Sequence, residues 1–355
     1  MEFVVAIVFI LLIVFLILAF VVTNLLVKPP WYTHNEFGHY NRCPAKGLTK
    51  NVVGAAKTLW RISETVDGLG NPKETFGFNY EEVEIPNLHV RQKNRVLRGW
   101  LIPHLSTEPE NEICIVAVHG GGRDRRAWLR HTPIFVHNGC SVLMFDFEEH
   151  GISDGAQRGI GWCTYEPDNV LAAVEYTKHT LQFKHIIVVG TSMGGAASIV
   201  AAGLGFKHHI TKCLEYRDPR EHIDAVIAEN PFTTRKALMK FILDNTSGDI
   251  LGRMKGILRP FTGALIATGL WRIGDAKHAT PLDAVRRVKC PLLIMHGTAD
   301  AIIPHTHSEI LYREATQTAW KKLWIVDGAQ HTALHNAAPE EWESRVLSIV
   351  NKIRG

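Results

Sequence analysis

The segment at residues 186–204, IIVVGTSMGGAASIVAAGL, leaves the chain few ways to fold. Branched apolar residues at 186–189 read as a buried strand, and the small-residue run at 194–204 reads as a helix. Between them stands Gly190-Thr191-Ser192-Met193-Gly194, room for a sharp turn and nothing longer. This is G-x-S-x-G between strand and helix, the setting in which that motif carries chemistry. The flanking glycines let backbone approach closely. Ser192 is then held clear of the sheet, at a helix N-terminus that favours negative charge.

Apolar runs alternate with helical patterns along most of the chain. Strands are predicted at 80–85, 96–103, 113–119, 141–147, 186–190, 223–229, 291–296 and 322–326. Helices are predicted at 125–137, 167–181, 194–204 and 342–353. Such alternation specifies an α/β fold, a mostly parallel sheet with helices on both faces. The stretch between the strands ending near 229 and starting near 291 is far longer than a crossover requires. Its helix-like pieces at 233–245, 250–258 and 261–273 predict a lid over the sheet, spanning 233–288.

Residues 3–22 form an unbroken apolar run, about 30 Å as a helix and therefore long enough to span a bilayer. No Lys or Arg precedes it and no small-x-small cleavage site follows, which favours an anchor over a cleaved signal. Lys28, Arg42, Lys46 and Lys50 follow the run, so positive-inside logic places the catalytic portion in the cytosol. A sequon at Asn245-Thr246-Ser247 would be usable only from the lumenal side. The expected division is an anchor at 1–28, a linker at 29–75 with a short helix near 53–65, and a catalytic domain at 76–355. Composition otherwise matches a globular protein: 46% hydrophobic and 21% charged residues exclude wholesale disorder. A net charge of +4 over 355 residues argues against a nucleic-acid partner. No two of the six cysteines stand in CxxC spacing, so no zinc ribbon is expected.

Three further groups complete a catalytic reading. His119-Gly120-Gly121-Gly122 follows the strand at 113–119, and a glycine loop there exposes N–H groups to a developing oxyanion. Gly121 and Met193 are the expected donors, with Gly122 the alternative to Gly121; His119 is expected to be structural. Asp300 follows the strand at 291–296 and His331 follows the strand at 322–326, both at carboxyl ends where sites of open α/β sheets form. With Ser192 they stand in the order nucleophile, acid, base. Ser192 would attack a carbonyl, His331 would move the proton, and Asp300 would orient the imidazole. His335, one helical turn beyond His331, is the alternative base. No metal or cofactor is expected, and His305 and His307 read as surface residues.

Taken together, HGGG at 119–122, FDFEEHGISDG at 145–155, GTSMGG at 190–195, CPLLIMHGTADAIIP at 290–304 and DGAQH at 327–331 resemble the α/β-hydrolase superfamily. Within it the chain looks like the serine aminopeptidase, monoacylglycerol-lipase and lysophospholipase-like branch. The resemblance covers 80–355 and implies an eight-stranded sheet with a helical lid. That branch commonly has D-x-R-G-x-G-x-S after the fourth strand. Here Asp146, Gly151 and Ser153 fit, while Glu148-Glu149 replaces Arg-Gly. The expectation is a membrane-anchored serine hydrolase cleaving acyl esters of lipid type, lysophospholipid or monoacylglycerol. A serine peptidase, a protein acyl-thioesterase and a catalytically silent membrane-tethered interaction module are the alternatives. Basic residues of the lid, among them Arg235, Lys236, Lys240, Arg253, Lys255 and Arg259, could meet an anionic membrane.

Overall fold

The computed structural model describes residues 2–28, 71–87, 95–105, 112–156, 158–204, 218–245, 263, 267–268 and 279–355. Most of the expected linker, with its helix near 53–65, and most of the lid, with Arg253, Lys255 and Arg259, lie outside the described residues. So does the side chain of Asn245.

Eight strands form one sheet: β1 (Glu81–Pro86), β2 (Val96–Ile102), β3 (Ile113–Val118), β4 (Ser141–Phe145), β5 (His185–Thr191), β6 (Ala225–Glu229), β7 (Leu292–Gly297) and β8 (Lys321–Val326). Their order is β1-β2-β4-β3-β5-β6-β7-β8. The β1–β2 and β2–β4 pairs are antiparallel and every other pair is parallel. The parallel part is buried on both faces, which explains strands that read as continuous apolar runs. In β3, Cys114, Val116 and Val118 enter the core on one face, and Ile113, Ile115 and Ala117 the core on the other. Each fully buried Val or Ile there contributes roughly 1.5–3 kcal/mol relative to exposure.

Two expected helices are divided. The stretch 125–137 is a 3₁₀ turn, Arg125–His131, followed by a short α-helix, Thr132–His137. Pro133 accounts for the break: it lacks an N–H and fits only the first turn of a new helix. The helix expected at 167–181 is α-helical over Glu166–Glu175 and then opens into one π turn, Tyr176–Thr180. Other helices packed on the sheet include Met193–Leu204, Thr306–Glu314 and Pro339–Arg354. One described helix lies at the expected boundary between linker and catalytic domain. Asn71 caps the helix Pro72–Phe76 with a reciprocal Glu74 hydrogen bond, and Phe76 and Phe78 pack on the core.

The amino-terminal run forms a 26-residue helix, Glu2–Val27. Phe3, Phe9, Leu16 and Phe20 are exposed on it. Its end touches the catalytic domain, where Ile160 N donates to Val27 O at 2.8 Å. Side chains at several positions of this helix lie outside the described set. Among the described residues no helix is long and apolar enough to cross a membrane. The expected span therefore rests on the sequence alone.

Candidate active site

β5 delivers Ser192 into a left-handed backbone conformation, φ +56°, immediately before the helix Met193–Leu204. The turn is held by Ser192 N donating to Glu229 O of the neighbouring strand at 2.7 Å. Close packing explains the glycines. A Cβ on Gly194 would lie 2.4 Å from the carbonyl oxygens of Val118 and His119, and one on Gly190 would lie 2.4 Å from the Gly194 carbonyl group.

Ser192, His331 and Asp300 meet at this point. Ser192 Oγ lies 3.0 Å from His331 Nε2, and His331 Nδ1 lies 2.6 Å from Asp300 Oδ2. Nδ1–H therefore donates to the carboxylate, which leaves Nε2 to accept from the serine hydroxyl. Asp300 Oδ2 also accepts from Asn230 Nδ2 at 2.8 Å and His296 Nε2 at 3.1 Å. Its Oδ1 accepts from the N–H groups of Ile302 and Ile303, each at 2.8 Å. Burial alone would raise this carboxyl's pKa, but the charge of His331 and the donors from His296 and His331 hold it well below the usual range.

Asn230 and His296 were not foreseen. Asn230 is fully buried with φ +51°, a conformation that asparagine tolerates better than most residues. Its amide reaches Asp300 on one side and accepts from Thr332 N at 3.3 Å on the other. Thr332 itself has φ +56°, and its carbonyl accepts from the Arg130 guanidinium at 2.6 Å. The loop carrying His331 is thus pinned on both sides. His296 is held by Ser308 Oγ at 2.7 Å and by Ile303 O at 2.8 Å.

The glycine loop lies against Ser192: a Cβ on Gly120 would stand 3.2 Å from Ser192 Cβ. His119 is a structural residue. Its Nε2 accepts from Phe147 N at 3.0 Å while Nδ1 faces Gly120 O at 2.8 Å, and burial pushes its pKa down to about 4, keeping it neutral. Gly122 N donates to His150 Nε2 at 3.1 Å, so that N–H is already engaged. Gly121 and Met193 are neighbours across the site, with the position of a Gly121 Cβ 3.5 Å from Met193 Sδ and 3.2 Å from the Trp162 ring.

Three other expected residues fall elsewhere. His335 is buried and packed between His131 and Trp342, with Nε2 3.5 Å from Glu343. His307, read as a surface residue, is buried instead: its Nδ1 accepts from Thr233 N at 3.1 Å, tying the helix Thr306–Glu314 to the start of the lid segment. Arg235, counted among membrane-facing basic residues, is also buried, donating to Cys163 O at 2.9 Å and Ala279 O at 3.2 Å. Lys236 and Lys240 are exposed as expected.

The Glu148-Glu149 departure is built into the scaffold. Glu148 is buried and pairs with Arg95 and, at 2.6 Å, with Arg158; Asn87 also donates to it. Glu149 adopts φ +69° and accepts from Ala156 N and Gly159 N. The two carboxylates order the loop that leads to Trp162.

The sequence pattern of the Alpha/beta hydrolase family matches residues 115–345, and the chain belongs to that family. Among curated relatives, the uncharacterized protein YfhR of Salmonella typhimurium is 26% identical over 65% of this chain and 69% of its own length. The Alpha/beta hydrolase domain-containing protein aho-3 of Caenorhabditis elegans is 26% identical over 77% of this chain and 68% of its own. Among solved structures, the Pyrococcus furiosus esterase Pf2001 superposes with a TM-score of 0.59 at 21% identity, covering 80% of this chain and 96% of that one. Est1E of Butyrivibrio proteoclasticus, solved with ferulic acid bound, gives 0.52 at 19% identity over 76% and 98%. At these identities the structural likeness establishes the fold.

Proposed function

We propose that the chain is a serine hydrolase that cleaves acyl esters through an acyl-enzyme on Ser192. One observation carries this reading: the hydrogen-bonded line from Ser192 Oγ through His331 to Asp300, 3.0 and 2.6 Å long. Ser192 Oγ attacks the ester carbonyl as His331 Nε2 takes its proton. The tetrahedral oxyanion lies between the N–H groups of Gly121 and Met193. Collapse expels the alcohol, which leaves with the proton from His331. Water then enters by the same route in reverse and frees the acid. The engagement of Gly122 N by His150 favours Gly121 as donor. Oxyanion donors of this kind are worth roughly 3–4 kcal/mol each.

The substrates we assign are lipid-like esters, lysophospholipid or monoacylglycerol, as in the branch that the motifs resemble. Support comes from the apolar run at residues 3–22 of the sequence, read as a single-pass anchor with the catalytic domain in the cytosol. The contact of Val27 with Ile160 sets that helix beside the loop bearing Trp162, which packs on the glycine loop. Residues 233–288 serve as the lid. The similar solved structures include esterases, which favours esters over amides.

A panel of purified protein against monoacylglycerol, lysophosphatidylcholine, a palmitoyl thioester and an aminoacyl anilide tests the assignment. The lipid esters should give the highest kcat/KM, and preference for the thioester or the anilide would overturn the substrate class.

A further inference from the structure

At the opposite end of the sheet from Ser192, three metal-ligating side chains converge. Glu175 ends the α-helix Glu166–Glu175, and the π turn Tyr176–Thr180 that follows carries His179 back beside it. His179 Nε2 lies 3.5 Å from Glu175 Oε2. A 3₁₀ turn just before β6, Pro219–His222, brings in His222, whose Nε2 lies 3.8 Å from Glu175 Oε1. The two imidazoles meet edge to face at 5.2 Å between centroids. One ligand atom from each residue lies within 4.8 Å of the others.

The two carboxylate oxygens thus face two different histidines, at 3.5 and 3.8 Å. Glu175 is about nine-tenths buried, its side chain 9% exposed, and neither its Oε1 nor His222 Nε2 has a hydrogen-bond partner in the protein. A buried carboxylate oxygen with no donor is costly, and native structures rarely leave one so. A cation placed between them would engage all three side chains. We propose that Glu175, His179 and His222 bind a divalent transition-metal ion, Zn²⁺ foremost, through one carboxylate oxygen and two imidazole nitrogens.

The donor set fits. Two histidines and one carboxylate suit Zn²⁺ and its neighbours in softness, and exclude Ca²⁺ and Mg²⁺, which take oxygen ligands. A tetrahedral ion with bonds of about 2.0–2.1 Å needs ligand atoms about 3.3 Å apart; here one atom from each of the three residues lies within 4.8 Å of the others, so the side chains must draw together around the ion. His179 stands partly in solvent, so the fourth position is open to water.

The position assigns the ion a structural task. Asp224 accepts from Ile186 N at the start of β5, so the cluster sits at the amino ends of β5 and β6, whereas Ser192 follows the carboxyl end of β5. The ion would clamp the π turn to the segment entering β6. Sequence offers no motif, because Glu175 and His179 look like an ordinary helical pair and His222 comes from another element.

The test uses the full chain in detergent micelles, stripped with a chelator and dialysed. Calorimetric titration with Zn²⁺ should show one saturable site, and thermal unfolding with Zn²⁺ should shift upward by several degrees while Mg²⁺ does nothing. Glu175→Gln and His222→Ala should each weaken that site at least tenfold, and His222→Cys should retain it. Circular dichroism checks that the variants fold. No saturable site, or equal Zn²⁺ affinity in wild type, Glu175→Gln and His222→Ala, would overturn the assignment.

Discussion

Asn230 offers the most informative perturbation, because one buried amide joins the acid to the histidine loop. Replacing it by glycine keeps the left-handed backbone without strain and deletes both hydrogen bonds. The contact from Nδ2 to Asp300 is charge-assisted, worth about 1.5–3 kcal/mol, and the acceptor for Thr332 N adds about 0.5–1.5 kcal/mol. Unfolding free energy should therefore fall by about 2–4 kcal/mol. Asp300 keeps its donors from His331, His296, Ile302 and Ile303, so activity should survive, reduced about 10–100-fold in kcat/KM, or about 1.4–2.8 kcal/mol. Asn230→Asp preserves the shape but sets a second carboxylate against the first. The pair cannot both ionise freely, and the added negative charge stabilises the imidazolium. The acid limb of kcat/KM on a short p-nitrophenyl ester should then move to higher pH in Asn230→Asp and stay in place in Asn230→Gly. Wild-type rates in the glycine variant, or superimposable pH profiles in all three proteins, would refute the positioning role.

Other consequences are open to simple measurement. Gly194→Ala places a Cβ 2.4 Å from two backbone oxygens, so the variant should unfold about 3 kcal/mol more easily by urea titration, the upper end of typical overpacking; native-like stability would show that the turn can open. Asp168 is raised to about 7 by burial and then by Glu148 and Glu166, so the folded state holds a proton that the unfolded chain releases above about pH 4. Stability should accordingly fall as pH rises from about 4 to 7, and Asp168→Asn should gain several degrees in Tm over wild type at pH 8 but little at pH 4. Deleting residues 1–28 should release the protein from carbonate-washed membranes and leave hydrolysis of a short ester within a few-fold, although the hydrogen bond from Ile160 N to Val27 O is lost with the helix. Membrane retention of that truncated chain would remove the anchor from the account.

The parallel strands were legible because burial on both faces leaves an apolar run that nothing else in the chain imitates. Ser192, Asp300 and His331 were legible because each stands just past such a run. Asn230 and His296 were not, although each also sits at or next to a strand end. What distinguishes them is a contact with Asp300, and for Asn230 that partner lies 70 residues away. His307 and Arg235 misled for the converse reason. Polar residues near a helix start read as solvent-facing, and only the fold supplies the Thr233, Cys163 and Ala279 groups that satisfy them. The π turn after Glu175 was hidden because the helical pattern continues through it. The Glu148-Glu149 pair was recognisable as a departure, but its answer, Arg95 and Arg158, comes partly from the residue just before β2.

The central claim is that Ser192 is the nucleophile of a working triad. A fluorophosphonate probe reacts with a serine only where a base and oxyanion donors activate it. Intact-mass measurement of the labelled protein, followed by peptide mapping, should show a single adduct on Ser192. Labelling should be absent in Ser192→Ala and severely slowed in His331→Ala, with both variants folded. An adduct on another residue, or undiminished labelling of Ser192→Ala, would contradict the account.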